Sequence, residues 1–249
     1  MKAKYPAGVA LIVAGVVIAF KGAMEANQSL VNAGIGGVFL GVVVLSFSTS
    51  DHIKYDAFRT VFNPYVVLTR NLTNSLGLGG KSVYIPPYDN MPDGGVFVPL
   101  HDDFDLDLAR FDDRTVFLTD SGREREMGLL LVPLGRDLVR MYEEYSGMDL
   151  AGAGLGAVES VSAVLRSLGL AKSVDVEEEG DEIRVYVGGV KVREFCSREC
   201  ERIACPVCSS IMLSISKALN ELIVVEEIDF NDRFVEISAR KLGGVDSWM

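Results

Sequence analysis

Two apolar runs joined by a short polar connector fill the first fifty residues, and no other feature constrains the chain as much. Tyr5 to Met24 (YPAGVALIVAGVVIAFKGAM) carries Lys21 as its single charge. Leu30 to Phe47 (LVNAGIGGVFLGVVVLSF) has Asn32 and Ser46 as its clearly polar members. At about 1.5 Å rise per residue, helices of this length span about 30 Å, the hydrocarbon thickness of a bilayer. The connector KGAMEANQS permits an antiparallel turn, so residues 1–50 are expected to form a two-helix transmembrane hairpin. Small residues recur four apart at Ala10/Ala14, Gly15/Ala19 and Gly37/Gly41, the spacing that lets backbones approach closely in lipid.

A cleaved signal peptide is the competing explanation. It needs a small-x-small cleavage site, and a cut after Ala26 would put Met24 in the pair; a second apolar run also follows at once. Lys2 and Lys4 flank the first span, Lys54 and Arg59 follow the second, and Lys21 alone marks the connector. The positive-inside rule then places both termini in the cytoplasm of a two-span protein of the cell membrane. The cysteines are accordingly expected in a reducing compartment.

Outside the hairpin the chain is acidic. Residues 51–249 hold 21 basic against 34 acidic side chains, net −13. Such a body is repelled by phosphate backbones, which argues against nucleic acid as a partner. With only two histidines, His52 and His101, the common neutral-pH acid/base group is scarce. A single glutamine beside abundant Val, Glu and Arg is a composition seen in thermophiles.

Residues 51–80 show helical periodicity broken at Asn63-Pro64, and read as a juxtamembrane helical stalk ended by Gly77, Gly79 and Gly80. Residues 81–132 hold short β-branched or aromatic runs (KSVYIPP, GVFVPL, TVFLTD, MGLLLVP) between turn-rich stretches, a β-rich segment. In residues 133–249 two helices (GRDLVRMYEEYSG and GAVESVSAVLRSLGL) precede the strands KSVDVEEE and EIRVYVG, which KVREFC can extend. A helix PVCSSIMLSISKALNELI and the strands VVEEIDF and RFVEISARKL close the chain. The order α-α-β-β-α-β-β predicts an α+β fold with an antiparallel sheet.

From about Gly135 to Leu242, and above all in ACPVCSSIMLSISKALNELIVVEEIDF, the chain resembles the 4-vinyl reductase domain, a small-molecule-binding relative of TRAPP transport-complex subunits. The whole chain is also similar to a group of archaeal two-span membrane proteins that share the hairpin, a YIPP…FVPL segment and a CPVC turn. The resemblance implies an apolar pocket between helices and sheet. Val158, Val161, Val164, Leu165, Ile211, Leu213, Ile215 and Leu219 would line its helical side, and ordinary core packing accounts for the same residues. The 4-vinyl reductase family commonly carries cysteines in its closing hairpin, where this chain has EEIDFNDRFVEIS without any.

All four cysteines fall within FCSRECERIACPVC: Cys196, Cys200, Cys205 and Cys208. Four soft ligands suffice for a tetrahedral zinc or an iron–sulfur cluster. Arg198, Arg202 and a helix starting at Pro206 would favour thiolates. Disulfides and buried unliganded thiols fit the same spacing, so the cofactor is zinc, an iron–sulfur cluster or none.

Other motifs are weaker. SLGLGGKS (Ser75 to Ser82) lacks the first glycine and the strand–loop–helix context of a phosphate loop. GAGLGA (Gly152 to Ala157) follows a helix, where a dinucleotide fingerprint needs a strand. In HDDFDLDLARFDDR, Leu108 stands where an EF-hand needs glycine and Arg114 where it needs glutamate. With no recognisable triad, the expected function is a membrane-anchored, non-enzymatic ligand-binding or adaptor protein. Its partners would be the bilayer, an apolar small molecule, a second copy or another protein. The alternative is a membrane-tethered electron-transfer protein with an iron–sulfur cluster.

Overall fold

The protein is described here by a computed structural model covering residues 4–46, 64, 67–119, 122–189, 198–231 and 234–249. The chain divides into two units, Met1–Thr60 and Val61–Met249.

The first unit is a helical hairpin. Helices α1 (Lys4–Met24) and α2 (Gln28–Ser46) are each long and apolar enough to cross a membrane. Ala26 turns the chain with a positive φ of 51°. Asn27 then caps α2, its Oδ1 accepting from the backbone N–H of Ser29 at 3.1 Å and of Leu30 at 3.3 Å. The seam is built of glycine at every seventh position: Gly8, Gly15 and Gly22 on α1 face Gly34 and Gly41 on α2, all buried. A Cβ on Gly34 would stand 2.4 Å from Ala19 N, and one on Gly15 2.6 Å from Val38 N, so the backbones touch. Heptad spacing holds one stripe on one face along a wound pair. Of the small pairs expected four apart, Gly15/Ala19 and Gly37/Gly41 join the seam, whereas Ala10 and Ala14 are exposed. Outside the seam the bulky side chains point away, with Phe20 69% and Phe39 66% exposed.

The second unit is α+β, built on one eight-stranded antiparallel sheet. Its strands are β1 (Val83–Ile85), β2 (Gly95–Pro99), β3 (Phe117–Leu118), β4 (Gly128–Leu131), β5 (Ser173–Glu179), β6 (Glu182–Gly188), β7 (Glu221–Phe230) and β8 (Phe234–Gly244). They lie in the order β3-β4-β2-β1-β7-β8-β6-β5. The β-rich segment and the C-terminal stretch share this sheet, because β1 pairs with β7 through Val83–Val224 and Tyr84–Ile223. Helix α3 (67–75) precedes the sheet. Helices α4 (Arg136–Ser146), α5 (Glu159–Ser167) and α6 (Pro206–Leu219) cover one of its faces.

Period-two alternation sorts the strand residues between two cores. Tyr84, Val96, Val98, Leu129, Ile223 and Val225 face the helices; Val83, Ile85, Phe97, Leu130, Leu222 and Val224 face the other way. On that other face, Leu106, Leu108, Phe111 and Trp248 cover the β1/β2/β4 half. On the β5/β6/β8 half the same face carries Glu177, Glu182, Arg184, Tyr186, Glu236 and Arg240, none of them buried.

The expected order α-α-β-β-α-β-β is present over residues 136–244. Two boundaries move. The last helix stops at Leu219 instead of continuing to Ile223, because Asn220 adopts a left-handed conformation (φ 55°) and Glu221 opens β7. Helix α5 starts at Glu159, behind a 3-10 turn at Leu155–Val158. The expected extension KVREFC, the kink at Asn63 and the lysines and arginine at 2, 54 and 59 lie outside the described residues.

Candidate functional site

The cysteine turn sits where three elements meet. Cys200 lies in a 3-10 turn, Arg198–Glu201; Cys205 is the residue before α6; Cys208 is in its first turn. Pro206 at the first helical position is suited by its fixed φ, and Ser209 N–H donates to Cys205 O at 2.8 Å. The three sulfur-bearing residues are only 3%, 4% and 1% exposed. Among the described residues no disulfide joins them. Cys196, the fourth expected ligand, lies outside the described residues.

Strand β1 is pinned to this turn. Ser82 donates twice to the Glu201 carbonyl, from its backbone N–H at 2.9 Å and its hydroxyl at 3.0 Å. Glu201 Oε1 accepts from Ile228 N–H on β7 at 3.3 Å. On the other side, Gly135 opens α4 against the first turn of α6: a Cβ there would meet Ser210 N at 2.1 Å. Tyr142 Oη and Ser210 Oγ are hydrogen-bonded at 2.7 Å. The turn is thus clamped from both the sheet and α4.

Tyr84 projects from β1 into this region, fully buried. Burial pushes its phenol far above the ordinary tyrosine value; Ser209 acts in the opposite sense, and the thiols of Cys208, Cys205 and Cys200 raise it further. The phenol is therefore a neutral O–H donor with all three thiols in its surroundings. Among the described residues neither Tyr84 Oη nor Ser209 Oγ has a partner that meets hydrogen-bond geometry. Leaving a buried hydroxyl unmatched costs about 1–3 kcal/mol. The other buried serines of α6 are matched: Ser210 to Val207 O (2.8 Å), Ser214 to Ser210 O (2.8 Å), Ser216 to Glu221 O (2.7 Å).

Cys205 and Cys208 lie at the N-terminal end of α6, where unsatisfied backbone N–H groups and the helix dipole favour negative charge. Among the described residues alone, no three Cys, His, Asp or Glu side chains make up a coordination shell. The three-cysteine set without Cys196 is therefore not assembled as a site by itself.

The remaining motifs have structural explanations. Gly152 (φ 65°) and Gly154 (φ 76°) donate their N–H groups to Lys217 O at 3.1 Å and Ala218 O at 2.9 Å, closing the C-terminal end of α6. Gly77 (φ 68°) ends α3, with Leu78 N–H donating to Thr73 O and Gly77 N–H to Asn74 O. In the acidic loop, Asp107 caps the 108–110 turn, and Asp112 Oδ1 accepts from Arg114 and Thr115 backbone N–H groups and the Thr115 hydroxyl. That last hydroxyl is the main reason the Asp112 carboxyl is held below its usual value. Val158, Val161, Val164, Leu165, Ile211, Leu213 and Ile215 are buried in the helix-side core, with Leu219 packed at its margin.

Residues 2–238 match the model of a domain of unknown function, DUF7982. The chain belongs to the DUF7982 family. No curated protein and no solved structure matches it. What sequence spacing left unmarked in this DUF7982 chain is the pair Tyr84 and Ser209. Tyr84 occupies a core-facing strand position where an aliphatic residue would read the same way, and only the fold brings it to the cysteines.

Proposed function

We propose that the protein is a membrane-anchored adaptor: a two-span hairpin tethering a cytoplasmic body whose fold is locked by a structural metal on Cys196, Cys200, Cys205 and Cys208. The observation that carries this reading is the burial of the three described thiols. A catalytic metal keeps a position open to substrate, whereas a structural one is closed over by protein. At 3%, 4% and 1% exposure these cysteines suit the closed kind. Zinc is the metal that such a four-thiolate set takes for a structural role. Lys2 and Lys4 before the first span and Lys54 and Arg59 after the second, against Lys21 alone at the connector, favour both termini in the cytoplasm.

The adaptor part of the reading is supported by the open half of the sheet. The outer face of β5, β6 and β8 carries charged and half-exposed aromatic side chains, including Tyr186 and Phe234 in edge-to-face contact at 5.6 Å, and none of its charged side chains is buried among the described residues. The helical positions to which the 4-vinyl reductase resemblance assigns a pocket lining are, by contrast, packed into the helix-side core. A protein partner on the open face is therefore favoured over an apolar ligand in the interior.

Metal analysis and an absorbance spectrum of the full-length chain, extracted anaerobically from membranes, test the proposal. One zinc per chain in a colourless protein is expected. A brown protein containing iron and sulfide would install the electron-transfer reading in its place, and a metal-free protein would refute the metal-locked body. For the adaptor role, a photo-crosslinking residue at Ser238 in cells should give adducts of defined mass, and one at Asp113 should not; equal labelling at both would contradict it.

A further inference from the structure

The two ends of the sheet differ. At one end β3 is two residues long, too short to hold another strand; at the other, β5 runs seven residues, Ser173–Glu179, and among the described residues only β6 pairs with it. That pairing is unbroken from Ser173–Gly188 to Glu179–Glu182, without a shift of register. In an antiparallel pair alternate residues bond to the neighbouring strand, and those between them turn their N–H and C=O groups away. Val174 shows which set turns away, since its N–H donates to Ser162 Oγ on α5 at 3.2 Å. By the same alternation the backbone groups of Val176 and Glu178 point outward from the edge of the sheet.

The side chains of this edge are also sorted. Asp175, Glu177 and Glu179 are exposed on the open face, and the cation beside them, Arg184 on β6, is paired with Glu182 at 3.4 Å. On the helix side Val174 is buried, Val176 packs at the margin of the core, and Glu178 is held by Lys241 at 2.7 Å. An open strand of this length is a template for a further strand. A second copy of β5 is a poor occupant. Antiparallel pairing centred on Glu177 would set Glu177 against itself and Asp175 against Glu179, like charges directly opposite each other.

Resting on the adaptor reading above, we propose that β5 is the docking edge and that the partner protein adds to it an extended segment alternating basic and apolar residues. The basic side chains lie over Asp175, Glu177 and Glu179, and the apolar ones continue the helix-side core beyond Val176. Main-chain bonds to Val176 and Glu178 supply affinity, and the alternation of side chains supplies the choice of partner.

The test uses the full-length chain in detergent and synthetic peptides as long as β5. One alternates lysine and valine, one alternates glutamate and valine, and one is the lysine peptide with its strand-bonding backbone nitrogens methylated. Binding and amide hydrogen exchange are read at low and high salt. The lysine peptide should bind, slow exchange of the Val176 and Glu178 N–H groups by about tenfold or more, and release at high salt. The other two peptides should do neither. Glu177→Lys, at an exposed position, should weaken the lysine peptide by roughly 3–10-fold, the scale of one cross-strand charge pair. Binding without protection of Val176 and Glu178, or equal binding of the methylated peptide, would overturn strand addition. Equal binding of the glutamate peptide would overturn the basic partner, and no binding by any peptide would overturn the inference as a whole. Failure of the adaptor reading shows separately, as equal crosslinking from Ser238 and Asp113.

Discussion

The hairpin and helix α6 are both strongly apolar, and they use that character in opposite ways. In α1 and α2 the buried surface is glycine backbone and the large side chains face outward. In α6, Val207 through Ser216 and Ala218 are all buried, and the helix is walled by α4, β1 and β7. An apolar helix needs cover for its bulk: α6 finds it in protein, whereas the outward side chains of the hairpin are of the kind a bilayer would cover. The difference also governs polar groups. Four buried serines sit on α6: three have partners, and Ser209, next to Cys208, has none among the described residues.

The sharpest way to break this contrast is at the cysteines. Cys208→Ser should release the metal and lower the thermal midpoint of the body by about 10 °C or more, because metal-binding energy is folding energy there. Calorimetry with and without a chelator checks it, and wild type stripped of metal should behave alike. Next in size, Ile211→Ala on α6 should cost about 2–5 kcal/mol in denaturant unfolding, whereas the equally apolar Val17→Ala on the outer face of α1 should leave membrane retention unchanged.

Within the hairpin, the glycine seam gives a paired test. Gly34→Leu should force the helices apart at a cost of about 1–3 kcal/mol, since even a Cβ meets Ala19 N at 2.4 Å. Gly36→Leu should be tolerated, as nothing lies within 4 Å of its Cβ position. Cysteine cross-linking across the seam distinguishes the two. Smaller again, Ser214→Ala should lose about 0.5–1.5 kcal/mol by removing the bond to Ser210 O.

The smallest effect concerns the far end of α6. The Asp149 carboxyl is held below its usual value by the Ala151 N–H and by Lys217, whose Nζ lies 3.0 Å away. A depressed carboxyl stabilises the fold above its unfolded value of about 3.9 and loses that contribution as pH falls through its folded value. Thermal midpoints of wild type and Asp149→Asn should therefore differ slightly at neutral pH and converge in acid.

Periodicity made the large elements legible. The hairpin, the β5/β6 turn at Glu179 to Asp181 and the helix after Pro206 were visible because each repeats one pattern over many residues. The glycine seam was harder to see, since a seven-residue recurrence of Gly8, Gly15 and Gly22 hides behind nearer small pairs. Tyr84 could not be seen at all: its meeting with Cys200 and Ser209 spans more than a hundred residues and depends on β1 pairing with β7. The stop at Asn220 was hidden too, because apolar residues continue through Ile223 and only a left-handed backbone separates helix from strand.

X-ray absorption at the metal edge of the full-length, anaerobically purified chain tests the central claim most directly. A single zinc per chain with four sulfur neighbours at about 2.3 Å is expected. A metal-free chain, or a shell dominated by oxygen or nitrogen, would contradict it.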